Sequence, residues 1–353
     1  MARTELDAVK AQLLRAGTVI PAHPLALTAE RRLDERRQRA LSRYYLAAGA
    51  GGLAVGVHTT QFEIREVGLL EPVLRLAADE AASVGATRPL LLVAGVLGDT
   101  EQALAEAELA AGLGYDLALL SFRGLDDLSE AALLRHAERV SAVLPVVGFY
   151  LQTAVGGRRL SYDLWRDLAE LPGLAAIKIA PFDRYATLDV VRAVAHSSRA
   201  DAIALYTGND DAILVDLLTP FVVATPAGSK ELSIVGGLLG QWAVWTRAAV
   251  MLLDEVKRVR AGAPLTRELL TRAARLTDAN AAVFDAANGF HGVIAGVHEV
   301  LRRQGLLAGT WCLDPAEGLS AGQAEAIERV SREHADLTDD AFVAAHLGEW
   351  LAP

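Results

Sequence analysis

Pro145-Val-Val-Gly-Phe-Tyr150, then Ser161-Tyr-Asp-Leu-Trp-Arg-Asp-Leu-Ala-Glu-Leu171, then Gly173-Leu-Ala-Ala-Ile-Lys-Ile-Ala180 form the stretch that decides the fold. The first and third are short apolar runs, and the second is longer and amphipathic. That pattern reads strand, helix, strand. Two strands joined by a helical crossover pair in parallel. The same alternation extends both ways. Further strands are expected at Thr18–Ile20, Gly52–Val57, Leu90–Ala94, Leu117–Ser121, Ala202–Tyr206 and Phe221–Ala224, and the quoted runs supply Val146–Tyr150 and Ala175–Ile179. Helices are expected at Asp34–Ala48, Glu101–Leu113, Ser129–Leu144 and Ser161–Leu171. Asp99 or Thr100 caps the second of these and Ser129 the third.

Eight strands over this length fit an α/β fold, a (β/α)8 TIM barrel, with a doubly wound sheet as runner-up. A doubly wound sheet normally opens on a Gly-rich turn, whereas here the first strand runs into Pro21-Ala-His-Pro24. From about Trp245 the pattern turns wholly helical, with helices expected at Arg247–Arg260, Thr266–Asn280, Ala281–Gln304 and Ala321–His334. Asn288-Gly289 and Gly292 can break the third of these. The division expected is a barrel over residues 1–245 and an all-helical C-terminal extension over 246–353 packed on it. Val235 to Leu253 is the most apolar segment; Gln241 and Arg247 interrupt it, so a buried helix is expected rather than a membrane span.

The chain has 353 residues, a net charge of -10, and 52% hydrophobic and 22% charged residues. Such a composition suits a folded enzyme and disfavours nucleic acid or an anionic membrane as partner. The single cysteine, Cys312, excludes an intrachain disulfide, and no Cys/His cluster has zinc spacing. Met1-Ala-Arg-Thr-Glu-Leu-Asp7 lacks the apolar core of a signal peptide, so a cytoplasmic protein is expected.

In a barrel, residues at the carboxyl ends of the strands face the site. Those with chemistry are His58-Thr59-Thr60, Tyr150, Lys178 and Tyr206-Thr207. Strands five and six are neighbours, so Tyr150 and Lys178 are expected to project into one pocket. Lysine occurs only at Lys10, Lys178, Lys230 and Lys257, and Lys178 alone sits in an apolar strand. Burial there disfavours the ammonium and yields the neutral amine that imine formation needs. The spacing equally allows a lysine paired to a buried carboxylate at the barrel rim. Tyr150 taken alone reads as an aromatic plug. His58 reads as an acid–base group or as a ring bonded to a backbone carbonyl. Asp210-Asp211 reads as a helix cap more readily than as a ligand for substrate hydroxyls or a cation, and Ala227-Gly228-Ser229-Lys230 as an anion-binding turn or merely a loop.

Several segments, in order, resemble the dihydrodipicolinate synthase and N-acetylneuraminate lyase family of class I aldolases. Leu46–Thr60 is similar to its "AG-x-x-G-hydrophobic-x-x-x-G-T-T-G-E" block, and Leu91–Asp99 to its third strand and Gly turn. Pro145–Tyr150 resembles its "P-hydrophobic-hydrophobic-hydrophobic-Y-N" strand, and Leu174–Ile179 its "hydrophobic-x-G-I-K" strand. The resemblance implies a Schiff base between Lys178 and a pyruvate-like 2-keto acid, with Tyr150 as proton relay. Thr59 and Thr60 would hold the substrate carboxylate, with His58 beside them. It also implies a cofactor-independent lyase, either aldolase or dehydratase, that forms a homodimer or homotetramer. The chain departs from the family at Gln61-Phe62, where Gly-Glu is usual. Ser121-Phe-Arg-Gly124 replaces a pair of tyrosines, and Arg158 lies several residues from the usual arginine. These departures argue against a dihydrodipicolinate synthase proper and keep a second reading open, an inactive barrel that binds or senses a small acid.

Overall fold

The structure is a computed structural model that describes residues 5–352. Eight parallel strands form the barrel: β1 (Val19–Pro21), β2 (Gly52–Val55), β3 (Leu91–Val96), β4 (Leu117–Leu120), β5 (Val146–Leu151), β6 (Leu174–Ala180), β7 (Ala204–Thr207) and β8 (Ile234–Leu239). They pair in sequence order from β2 to β8, β8 then pairs with β1, and a bridge between Ala22 and Ala54 brings the ends together. The (β/α)8 barrel and the helices that follow it are as the sequence implies.

Helix α1 (Ala8–Ala16) lies against the barrel floor, where Leu14 joins the interior and its carbonyl accepts from the Tyr206 hydroxyl at 2.9 Å. Tyr206 is therefore a floor residue, not a mouth residue. The crossovers are α2 (Glu35–Ala48), α3 (Leu70–Gly85), α4 (Thr100–Gly112), α5 (Glu130–Ser141), α6 (Tyr162–Ala169), α7 (Arg184–Ala195) and α8 (Ile213–Leu218). Asp99 and Ser129 cap α4 and α5 as expected, each accepting from the backbone N–H three residues on.

The last strand is not where its sequence suggested. Phe221–Thr225 pairs antiparallel with Gly228–Leu232 as a half-exposed hairpin in the α8-to-β8 connection. The barrel strand is Ile234-Val-Gly-Gly-Leu-Leu239. Its two glycines depress strand propensity and hide it from a reading of periodicity, yet the packing requires them. A Cβ at Gly236 would stand 2.5 Å from the Thr18 carbonyl oxygen, and one at Gly237 would stand 2.6 Å from the Trp242 ring. The apolar segment from Val235 to Leu253 is thus strand, tight turn and helix rather than one helix. Ala227–Lys230 lies in the hairpin, with Lys230 paired to Asp201 at 3.1 Å, away from the barrel mouth.

The helical part runs α9 (Thr246–Arg260), α10 (Arg267–Val283), α11 (Val293–Arg303), α12 (Gln323–Glu333) and α13 (Asp340–Trp350). α9 packs against α8, α2 and β1, which makes it the eighth helix of the ring rather than the start of the extension. α10 and α11 are separated at Asp285–Gly292, where the glycines permit the break. The knot there is Asp285, itself left-handed (φ 56°), accepting from Asn288, Gly292 and Ser320 at 2.6, 3.0 and 2.6 Å. α13 returns to α2, where Arg43 donates to the carbonyls of Trp350 and Ala352, and Tyr44 donates to Asp339 at 2.8 Å. No helix of the described residues is long and apolar enough to cross a membrane.

Candidate active site

Barrel strands alternate between the interior and the helical layer, so one residue of register decides which side chains meet. Along β5 the interior positions are Val147, Phe149 and Leu151, and along β6 they are Ala176, Lys178 and Ala180. Phe149 pairs in register with Lys178, and the lysine Nζ stands 4.2 Å from the centre of the Phe149 ring. Tyr150 points the other way. Its ring packs on Trp165 of α6 at 5.3 Å, and its hydroxyl bonds the backbone of Leu160 at 3.3 Å. The expectation that Tyr150 shares a pocket with Lys178 is corrected: on neighbouring strands it is the in-register pair that shares a face, and that pair is Phe149 and Lys178. Counted from Pro145, the "P-hydrophobic-hydrophobic-hydrophobic-Y-N" pattern also puts its tyrosine on Phe149 and its asparagine on Tyr150.

Lys178 is 7% exposed. Small neighbours make room for its stem, since a Cβ at Gly208 would fall 2.7 Å from both Lys178 Cε and Ala180 Cβ. The other three lysines have partners: Lys10 with Asp116, Lys230 with Asp201 and Lys257 with the Gly17 carbonyl. Lys178 makes no hydrogen bond or ion pair with any described residue, so the rim ion pair that spacing allowed is not formed. Burial brings its pKa down from 10.5 to about 8, and the Asp210 carboxylate opposes that fall.

Asp210 follows β7 and lines the same cavity, 5% exposed. It accepts the Gln241 N–H at 2.8 Å. Burial raises its pKa from 3.8 to about 7, against the pull of that N–H and of Lys178. It does not cap α8, whose N-terminal residue Ala212 offers no side-chain cap. The cap reading therefore does not hold for Asp210, and of the two readings the sequence allows it is the cavity carboxylate that the structure supports. The only signal in the sequence was its place after a barrel strand.

His58-Thr59-Thr60 form a 3-10 turn after β2. His58 and Thr59 line the cavity, and Thr60 holds the turn. The Thr60 hydroxyl donates to the His23 carbonyl at 2.7 Å and accepts from Gly56 and Val57. The Thr59 hydroxyl donates to the Ala22 carbonyl at 2.8 Å. Both hydroxyl protons are thus committed to backbone rather than offered to a ligand. Among the described residues His58 makes no side-chain hydrogen bond, so it is not the carbonyl-bonded ring that the sequence also allowed. Burial, then the positive charges of Lys178 and Arg123, lower its pKa from 6.5 to about 4, and the ring is neutral near pH 7.

The pocket holds about 40 Å³ around Lys178. His58, Val155 and Val293 also border a neighbouring chamber of about 230 Å³, lined further by Arg123, Glu63 and Glu317. The extension supplies the roof. Phe284 and Val293 line the pocket, and Phe290 stacks edge-on to Phe182 at 5.6 Å. Leu313 N–H donates to Gln61 Oε1 at 2.6 Å, and Asn280 donates to Gln241 at 3.0 Å. Gln61, Phe182 and Phe290 all have positive φ (66°, 53° and 69°), strain held by these contacts at the mouth.

No protein-family model matches the chain. Its sequence is 28% identical over 206 residues to the N-acetylneuraminate lyase of Citrobacter koseri, covering 57% of this chain and 65% of the relative. The chain therefore resembles this lyase in sequence. Solved structures of a dihydrodipicolinate synthase and of an N-acetylneuraminate lyase share the chain's fold. A prophage protein of the dihydrodipicolinic acid synthase family from E. coli K12, in complex with pyruvate, superposes with a TM-score of 0.73 at 18% identity, over 90% of this chain and 98% of that one. The N-acetylneuraminate lyase of Fusobacterium nucleatum gives 0.70 at 16% identity, over 90% and 98%. The chain spans about two thirds of the curated relative's length. At the centre of the pocket the phenyl ring of Phe149 lies beside the lysine.

Proposed function

We propose that this protein is a class I lyase, in which Lys178 forms a Schiff base with a small 2-keto acid of pyruvate's size. The observation that carries the reading is a buried amine, unpaired among the described residues, at the carboxyl end of β6 and facing a small cavity. With a pKa near 8 the amine is partly neutral at physiological pH, so its lone pair can attack the keto carbon, and loss of water leaves the imine. The imine then draws electrons from the adjacent carbon, which permits C–C cleavage, condensation or elimination. The aromatic rings of Phe149, Phe182 and Phe284 that line the pocket keep bulk water away from the intermediate. For the keto-acid carboxylate, support comes from the turn after β2. There the amides of His58 and Thr59 precede the first internal bond, from Thr60 N to the Val57 carbonyl. Thr59 and Thr60 thus serve chiefly by shaping that turn.

The pocket size favours a short acid, with any longer portion of the substrate or aldehyde lying in the chamber near Arg123. No cofactor enters this chemistry. The working setting is the cytoplasm, and the protein acts as a homo-oligomer, which light scattering would measure. The test of the chemistry is reduction with borohydride in the presence of pyruvate and other keto acids, followed by peptide mass mapping. An adduct on Lys178 is the expected result. A second reading, an idle barrel that binds a small acid, draws on the phenyl ring of Phe149 where a proton relay is usual. Keto-acid binding by calorimetry without any reducible adduct would select it.

A further inference from the structure

The imine chemistry just proposed needs a group that takes a proton from the substrate carbon next to the imine and returns it. Tyr150 cannot do this from outside the barrel, with its hydroxyl on Leu160. Tyr206 cannot either, because its hydroxyl is bonded to α1 at the opposite end. The residues that line the Lys178 pocket include two other titratable side chains, His58 from the turn after β2 and Asp210 from the loop after β7. We propose that Asp210 is the proton-transferring residue of this site, in the position of need left by Phe149.

The geometry separates Asp210 from His58. The Asp210 carboxylate is fixed through one oxygen by the Gln241 N–H at 2.8 Å, and its other oxygen accepts no hydrogen bond from a described residue. Gly208, two residues earlier, lets the chain pass close against the Lys178 stem, and Asp210 lines the same pocket as the amine. His58 stacks towards Phe62 at 5.7 Å and also borders the neighbouring chamber, which Arg123 lines too. The charged groups acting on Asp210 are Lys178, which lowers its pKa, and Asp211, which raises it. Those acting on His58 are Lys178 and Arg123, both unfavourable to an imidazolium. A neutral His58 with both positive neighbours is a poor proton acceptor, whereas a carboxylate held near pH 7 is matched to the task.

The step balances as follows. Lys178 and the keto acid form the protonated imine. The Asp210 carboxylate takes one proton from the carbon adjacent to the imine carbon. The C–H electron pair becomes the new carbon–carbon double bond, and the C=N pair moves to nitrogen, giving a neutral enamine and a protonated Asp210. Return of that proton reverses the step. Nothing is oxidised or reduced.

The inference rests on the lyase reading, and the experiment keeps the two apart. Wild type, Asp210→Asn, Asp210→Glu and His58→Gln are incubated with pyruvate in D2O. Methyl-proton exchange is followed by NMR, Lys178 adduct by borohydride trapping, and folding by thermal unfolding. Wild type is expected to form the adduct and to exchange. Asp210→Asn is expected to form the adduct within about threefold of wild type and to exchange at least ~100-fold more slowly, the range lost with a general base. His58→Gln is expected to retain the acid limb of the exchange profile that Asp210→Asn loses. Asp210→Glu is expected to recover part of the exchange. The acid limb of the wild-type exchange profile should be absent in Asp210→Asn. Exchange by Asp210→Asn at the wild-type rate overturns the assignment, as does a folded Asp210→Asn that forms no adduct, or loss of exchange in His58→Gln alone. A wild type that forms the adduct without exchange overturns it too. A wild type that forms no adduct with any keto acid instead overturns the lyase reading on which it stands.

Discussion

Raising the pH from 6 to 9.5 titrates the one amine on which the proposed chemistry depends, and the structure sets where the change should fall. An ordinary lysine, with pKa 10.5, is neutral in roughly 3 molecules of 10,000 at pH 7. With its pKa brought to about 8 by burial, Lys178 is neutral in roughly one molecule of ten at that pH. The gain in attacking amine is about 300-fold, on the order of 3 kcal/mol, and it comes from desolvation opposed by Asp210. The initial rate of adduct formation with pyruvate and cyanoborohydride should therefore rise about tenfold per pH unit at the acid end and level off just above pH 8. Asp210→Asn removes the charge that holds the pKa up, so its midpoint should move to lower pH. The stability linkage has a definite sign. Because the folded pKa lies below 10.5, the unfolded chain binds more protons between about 8 and 10.5, so this lysine's contribution to stability improves as pH rises through that window and its full cost applies below pH 8. A rate still climbing tenfold per unit beyond pH 9.5 would mean that Lys178 is an ordinary solvated amine, and the reasoning from burial would fail.

Three other perturbations have firm expected outcomes. Gly208→Ala places a methyl 2.7 Å from Lys178 Cε and Ala180 Cβ, and should cost about 1–3 kcal/mol of stability and slow adduct formation ~100-fold, read by thermal unfolding and trapping. Tyr150→Phe should leave adduct formation and exchange within twofold of wild type and cost about 1 kcal/mol through the lost bond to Leu160; a large kinetic defect would place the phenol in the mechanism after all. Arg65→Ala strips Glu106 of a buried partner and the Gly56 and Gly95 carbonyls of their donor, and should destabilise by roughly 3–5 kcal/mol in urea unfolding.

What the sequence made legible follows from local physics. Seven of the barrel strands stand close to where apolar runs alternate with amphipathic stretches, because both signals are intrinsic to the residues themselves. Ile234–Leu239 was hidden because Gly236 and Gly237 answer to Thr18 and Trp242, contacts that no local window contains. Lys178 stood out as a charge inside an apolar strand. Tyr150 was misplaced by a single residue of register, and in a strand that exchanges the interior for the helical layer. Asp210 reads first as a helix cap because the adjacent Asp211 makes the pair a polar helix start, while its place in the cavity depends on contacts far along the chain, such as the Gln241 N–H.

That roof bears on the amine as directly as the strand that carries it. Phe284 follows α10 and Val293 begins α11, and both line the pocket of Lys178, so the extension supplies part of the surface around the amine. Desolvation is the largest cause of the lowered lysine pKa and of the raised Asp210 pKa alike. Opening the roof would rehydrate both groups and return each towards its ordinary value, leaving an ammonium that cannot attack and a carboxylate too weakly basic to take a carbon-bound proton. The knot at Asp285, the Leu313–Gln61 bond and the Asn280–Gln241 bond are then what keep two opposite pKa shifts in place together. In this chain the helical extension is part of the electrostatics of the site.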